Sequence, residues 1–416
     1  IGTPTVRDLW VDPVRGNNQN DGSSRTQALR DIDTAWRRIP SGTLTGTGYR
    51  IQLVAGTYPE NSLPNYWEEK QGTAQFPIII QAADGQGTAT FGGDINAFKV
   101  SHFYLIGFNI IPDPAGDAFH CEKCDTVLLR NMRISGGNRV AHETVKVNQS
   151  QRFYIEDSEI SGAEDNAIDF VAVQYGHILR NKISNAQDWC MYVKGGSAYL
   201  RIEGNEISNC GTGGFVAGQG TGFEFMESPW LHYEAYGIIF VNNVIRDTQT
   251  AGMGVNGGYN VLLANNTLVR AGTRDHFFEA NLGRRGCDGD RATCTAKQAA
   301  GGWGGAGSEE QYIPNRNVFV YNNLFYAPRG QEVPFALQVS GGANAPSGTN
   351  LSGKQAADTN LRIRGNVFWN GINNELGLDD ASGCQAGNPT CNPEQLMADN
   401  VFGGTQPSFV DLAANN

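Results

Sequence analysis

Eight segments of this chain share one pattern, and the repeat limits the fold more than any other feature. They are VLLRNMRIS (127–135), FYIEDSEIS (153–161), HILRNKIS (177–184), LRIEGNEIS (200–208), IIFVNNVI (238–245), VLLANNTL (261–268), VFVYNNLF (318–325) and LRIRGNVF (361–368). Each alternates apolar and polar residues, passes a polar or Asn step, and closes on an apolar residue. Alternation with period two marks short strands. The closing residues are Ile134, Ile160, Ile183, Ile207, Ile245, Leu268, Phe325 and Phe368, spaced by 26, 23, 24, 38, 23, 57 and 43 residues. A basic period of 23–24 residues fits one turn of a right-handed parallel β-helix, with short strands joined by bends. One turn cannot bury its own apolar face, so turns stack around a shared core. The longer spacings read as turns with inserted loops, or as two turns with a weak one between. Asn181, Asn205, Asn243, Asn266, Asn323 and Asn366 fall at the bend. There an amide can bond its stacked neighbour, and Asn tolerates a left-handed backbone.

Competing solenoids fit less well. The LxxLxL signature of leucine-rich repeats is absent, and so are four-strand propeller blades. The expected fold is all-β, one domain over residues 1–416. Residues 1–60 form an N-terminal cap and first strands, and 273–316 and 340–358 are loop insertions. The cap holds one helix candidate near 29–38, with Leu29, Ile32, Ala35 and Trp36 on one face, suited to covering the open end of the solenoid. The 53 glycines among 416 residues follow no G-X-Y period, and Val, Ile, Leu and Phe are plentiful, which excludes collagen and disorder.

A net charge of −11 argues against nucleic acid and anionic lipid as partners. No apolar run is long enough to span a membrane. Among eight cysteines, Cys287 with Cys294 and Cys384 with Cys391 sit in polar loops, the pattern of stapling disulfides. Cys190 with Cys210 is a plausible third pair. Cys121-x-x-Cys124 leaves a zinc site as an alternative, although no second CxxC follows. The chain opens at Ile1 without Met, as a processed, secreted protein would. A monomer is expected.

Counting from each closing residue aligns Ile168, Met191 and Phe215 in one inward column and Phe170, Val193 and Ala217 in another. Val145 and Val147 join them once the longer 134–160 turn is allowed for. Their neighbours point outward, about 4.8 Å apart between turns. These neighbours are His142, Glu143 and Lys146; then Glu164, Asp165, Asn166 and Asp169; then Asp188, Trp189, Tyr192 and Lys194. Carboxylates stacked this closely repel unless a cation lies among them, and an all-oxygen donor set favours Ca²⁺. Lys194, before Gly195 and Gly196, has room for a substrate at its side and is a candidate base.

The N-terminal LWVDPVRGNNQNDGSS, TAWRRIP and YRIQLVAGTYPE resemble the opening of extracellular β-helix proteins that act on carbohydrate, and the C-terminal QPSFVDLAANN is similar to the segment that closes many of them. The order of an acidic residue, then D-[DN]-x-x-D, then KGG one turn later resembles the family 9 pectate lyases. That resemblance implies Ca²⁺ held by Glu143, Asp165, Asn166 and Asp169, with Asp188 stacked beside them, and Lys194 as the base. Glu143 and Asn166 stand where that family usually has Asp, which keeps an oxygen donor but changes the site's charge.

The implied activity is a secreted polysaccharide lyase on a pectate-like uronic-acid polymer. A base removes the C5 proton beside the sugar carboxylate, and the C4–O bond breaks by β-elimination. Lys146, Arg180 and Arg201 are candidates to meet substrate carboxylates, as are Arg284, Arg285 and Arg291 in the 273–316 insert. That insert shows no strand pattern and reads as a stapled lid. Trp189, Tyr192, Phe223, Trp230 and Tyr233 are candidates to line a sugar cleft. The alternatives are a hydrolase using two of Asp165, Asp169 and Asp188, an epimerase that also begins at C5, and a non-catalytic glycan-binding or adhesin solenoid.

Overall fold

The computed structural model describes residues 2–113, 116–140, 142–303, 310–343, 351, 355–371, 384, 386–404 and 406–409. Its alternating segments become strands that return to the same place on every turn, and three long parallel sheets result. The first runs from Val6–Val11 to Thr359–Arg364, the second from Gly56–Tyr58 to Val401–Phe402, and the third from Ile95–Phe98 to Phe335–Val339. A typical turn supplies one strand to the third sheet, then the first, then the second. Parallel crossovers of this kind are right-handed, and the chain is a right-handed parallel β-helix.

The eight closing residues form one column of the second sheet, from Ile134 beside Ile160 through to Phe325 beside Phe368. All are buried. The long gaps after Ile207, Leu268 and Phe325 are therefore single turns carrying insertions. Phe325 stacks on Phe368 and Phe368 on Phe402, with ring centroids 4.4 and 4.6 Å apart.

The bend asparagines form a continuous ladder. The Nδ2 of Asn181 donates to Oδ1 of Asn205, and the relay continues through Asn243, Asn266, Asn323 and Asn366 to Asn400. Each Oδ1 also accepts the backbone N–H of the preceding ladder member. Asn243→Ala removes the acceptor of the buried Asn205 backbone N–H and the donor to the carbonyl of Ile202, and leaves Asn205 Nδ2 with the carbonyl of Ile178 alone. The expected loss is about 2 kcal/mol, read from the urea midpoint, and an unchanged midpoint would overturn the ladder's structural role.

The cap helix is shorter than its amphipathic pattern suggests, spanning Ile32–Arg37. Leu29 instead bridges to Val11, and its N–H donates to the carbonyl of Trp10. Trp36 closes the end of the core edge-on to Trp67 and Phe103, at 5.0 and 5.8 Å. The 273–316 segment is not structureless. It contains His276–Asn281 of the third sheet, Gly283–Gly286, a helix over Arg291–Ala300 and Gln311–Ile313. Helix Arg291–Ala300 starts where Asp290 accepts the N–H groups of Ala292 and Thr293. Within 340–358, Ala343 and Gln355 pair in an antiparallel bridge, while 344–350 and 352–354 lie outside the described residues, as do 410–416 of the C-terminal segment.

Four disulfides join Cys121 to Cys124, Cys190 to Cys210, Cys287 to Cys294, and Cys384 to Cys391. The CxxC pair is thus a cystine rather than a zinc site. Such bonds persist outside the cell or in the periplasm. No helix among the described residues is long and apolar enough to cross a membrane.

Candidate active site

The third sheet presents the expected columns. Val145, Ile168, Met191 and Phe215 stand in register facing the core, as do Val147, Phe170, Val193 and Ala217. The alternate column, facing away, carries Lys146, Asp169 and Tyr192 on successive turns, with Lys194 in the column beside it. A small fourth sheet flanks this face: Gly220–Gly222 and Gln311–Ile313 pair on either side of Gly283–Gly286. Between the two lies a groove of about 480 Å³, lined on one side by Glu143, Lys146, Asp165, Asp169, Tyr192 and Lys194 and on the other by Thr221, Arg284 and Asp288. The insert at 273–316 is thus a side wall of the groove, stapled by Cys287–Cys294.

Lys146 lies at the centre of the floor. Its ammonium donates to Glu143 Oε1 at 2.9 Å and to Asp169 Oδ2 at 3.0 Å. Burial alone would lower its pKa, but the charges of Asp169 and Glu143 outweigh it and hold the ammonium above its usual range. Burial pushes the Glu143 carboxyl up against the pull of Lys146, and pushes Asp169 up to about 6 against the pull of Lys194 and Lys146. Lys146 thus lines the groove with its ammonium shared between two carboxylates.

Lys194 is only half-buried, and its Nζ donates to the Tyr192 hydroxyl at 2.9 Å with the ammonium 4.0 Å from the ring centre. Asn166 Nδ2 donates to the same hydroxyl at 3.1 Å. Both lone pairs of that oxygen are thus taken, which leaves its own O–H free to donate. Burial, reinforced by Asp169, Glu143, Asp165 and Asp188, holds the phenol well above its ordinary pKa, so it stays protonated.

The expected metal donors divide. Glu143 Oε2 and Asp169 Oδ1 are buried and accept no hydrogen bond, the condition a hard cation relieves. Asp165 opens on the same groove. Asn166 is fully buried and does not line the groove; its Oδ1 accepts the N–H of Trp189 and its Nδ2 bonds Asp165 and Tyr192. Asp188 is raised by burial, bonds Thr212 and Asp165, and does not line the groove. The donors that fit a hard cation in kind are thus Glu143, Asp165 and Asp169, with the Lys146 ammonium now standing between two of them. Among the described residues the one group of ligand atoms already drawn together is Glu224, Cys287 and Cys294, whose two sulfurs are joined to each other.

Several candidates lie elsewhere. Trp189 is buried, its ring filling the space over Gly213, where a Cβ would come within 2.2 Å of it. Arg201 is on the first sheet, between His177 and Ile239, and pairs with Glu203 at 2.6 Å. Arg180 pairs with Asp157. Arg285 is fully buried against Glu234, and Arg291 sits exposed at the start of its helix. Phe223 packs with Met226 and Trp303 under the wall, and Trp230 and Tyr233 line a different pocket. Glu234 escaped the sequence reading. Its Oε2 accepts the N–H of Gly195 at 3.1 Å and the Thr221 hydroxyl at 2.7 Å, tying the chain beside Lys194 to the groove wall.

Fold and groove together define a right-handed parallel β-helix protein with an acidic, lysine-bearing cleft on one sheet. The family model of the right-handed β-helix region matches residues 85–229, and no curated protein matches the sequence. Among solved structures the chain is similar to the pectate lyase Pel9A at 13% identity, over 100% of this chain and 85% of that one, with a TM-score of 0.46. A rhamnogalacturonan lyase is similar at 13% identity, over 78% and 83%, with a TM-score of 0.49. The A-module of the mannuronan C-5 epimerase AlgE6 of Azotobacter vinelandii is similar at 11%, over 87% and 92%, with a TM-score of 0.42.

Proposed function

We propose that the protein is a polysaccharide lyase that cleaves a uronic-acid polymer by β-elimination in this groove. The observation that carries the reading is the pair of Lys194 and Tyr192, a lysine and a protonated phenol 2.9 Å apart on the floor of an acidic cleft. β-Elimination needs one group to take the C5 proton and one to protonate the departing O4. Lys194, in its neutral form, takes the proton from C5. The C5–H electrons form the C4–C5 double bond, the C4–O4 bond breaks, and the Tyr192 O–H protonates O4. The Lys194 ammonium then stands beside the Tyr192 oxygen and can return its proton, which resets the pair. Glu143, Asp165 and Asp169 would hold Ca²⁺, which when bound would neutralise the sugar carboxylate and the charge that builds as C5 loses its proton.

The test is ultraviolet absorbance of the new double bond on polygalacturonate, alginate and rhamnogalacturonan. A rise on one of them, reduced by chelator and restored by calcium, is the expected result. Calcium is also expected to raise the melting temperature, an effect that Asp169→Asn diminishes. Reducing ends without absorbance would overturn the elimination in favour of a hydrolase, and binding without turnover would favour an adhesin.

A further inference from the structure

A second pocket lies around the corner from the groove, where the third sheet turns into the first. It holds about 340 Å³ and is lined by the aromatic rings of Trp230, Tyr233 and Tyr236 together with Arg316, Gln355 and Thr359. It shares no lining residue with the groove. Stacked turns build it. Tyr236 stands beside Tyr259, and Tyr259 beside Arg316, which is followed by Thr359.

Two features of this pocket ask for a ligand. Gln355 is completely buried, yet neither its amide nitrogen nor its amide oxygen has a hydrogen-bond partner. A buried amide left unpaired is destabilising, and Gln355 lies in the wall of this pocket. Arg316 is exposed, hydrogen-bonds the Tyr233 side chain and pairs with no carboxylate among the described residues. One donor and one acceptor on the same amide match two neighbouring hydroxyls. A guanidinium matches a carboxylate, and half-buried aromatic rings match the apolar face of a pyranose.

We infer that this pocket is an accessory binding site for a single uronic-acid unit of an acidic polysaccharide, separate from the cleft in which the chain is cut. The carboxylate would meet Arg316, the vicinal hydroxyls Gln355, and the ring face the wall of Trp230, Tyr233 and Tyr236. The choice of a uronic acid rests on the lyase reading; the presence of a site rests on the pocket alone. An anchor here holds the polymer to the enzyme between cuts, which matters for a protein whose net charge of −11 repels a polyanion.

The test is electrophoresis of the native protein through gels containing polygalacturonate, with dextran gels as control, for the wild type, Arg316→Ala and Gln355→Leu. Both substitutions leave the groove untouched, and Gln355→Leu removes the unpaired amide while keeping its bulk, so its melting temperature should hold. The expected result is retardation of the wild type on polygalacturonate only, weakened about tenfold in both variants, with elimination of trigalacturonate unchanged. Equal retardation of wild type and variants, or none in any of them, would overturn the site. Retardation that depends on Arg316 without any double-bond formation would keep the site and remove the lyase.

Discussion

Lys194→Ala is expected to lower double-bond formation on the best polymer about 10³-fold, with the melting temperature and circular dichroism unchanged. The side chain is half-exposed and its one hydrogen bond goes to Tyr192, so its removal leaves no buried group unsatisfied. A second substitution separates two roles the lysine could have. Lys194→Arg keeps the positive charge, but guanidinium does not give up its proton in water. If Lys194 is the base, Arg is as inactive as Ala. If the lysine serves only to attract the polymer's carboxylates, Arg restores most of the rate. Tyr192→Phe keeps the ring under Lys194 while removing the proton for O4, and is expected to slow turnover without weakening binding. Full activity in Lys194→Ala would end the assignment of the base.

Much of this architecture was legible because a solenoid turns sequence spacing into distance. The closing residues Ile134 to Phe368 are neighbours for the same reason that they recur, and counting from them places Val145, Ile168 and Met191 in one column. The same count sets Lys146 directly beside Asp169. The ion pair between them was therefore readable from the same count. Arg201 belongs to the segment LRIEGNEIS, whose fellows all lie on the first sheet before the Asn bend, so the repeat itself separates it from Lys194. Other features were not legible. Trp189 is buried because Gly213, a full turn away, leaves room for its ring. Asn166 shares the acidic segment with Asp165, but its side chain is fully buried and turned to the N–H of Trp189, outside the groove lining. The insertions escape most, because no period governs them. The groove wall is built by three short strands from two different turns, and no repeat announces their meeting.

That wall depends on one buried ion pair, and Arg285→Ala is expected to cost about 3–5 kcal/mol of stability. Both side chains are fully buried, with Arg285 Nε 2.6 Å from Glu234 Oε1. The guanidinium also donates to the carbonyls of Leu231 and Tyr233, so the truncation orphans two acceptors and a charge together. Glu234 then keeps only the Gly195 N–H and the Thr221 hydroxyl as hydrogen-bond partners. The consequence reaches the groove, because Gly195 follows Lys194 and has a left-handed backbone, φ 66°, with no space for a Cβ beside Val171. Urea unfolding measures the loss, and a shift below about 1 kcal/mol would show that the pair contributes no more than a surface bridge. Arg285→Met combined with Glu234→Gln removes both charges. If the cost of the single variant is the uncompensated carboxylate, the double variant recovers a large part of it. If instead the three donated hydrogen bonds of Arg285 are the main contribution, the double variant stays as unstable as the single one, and turnover falls in both because the chain beside Lys194 is no longer held.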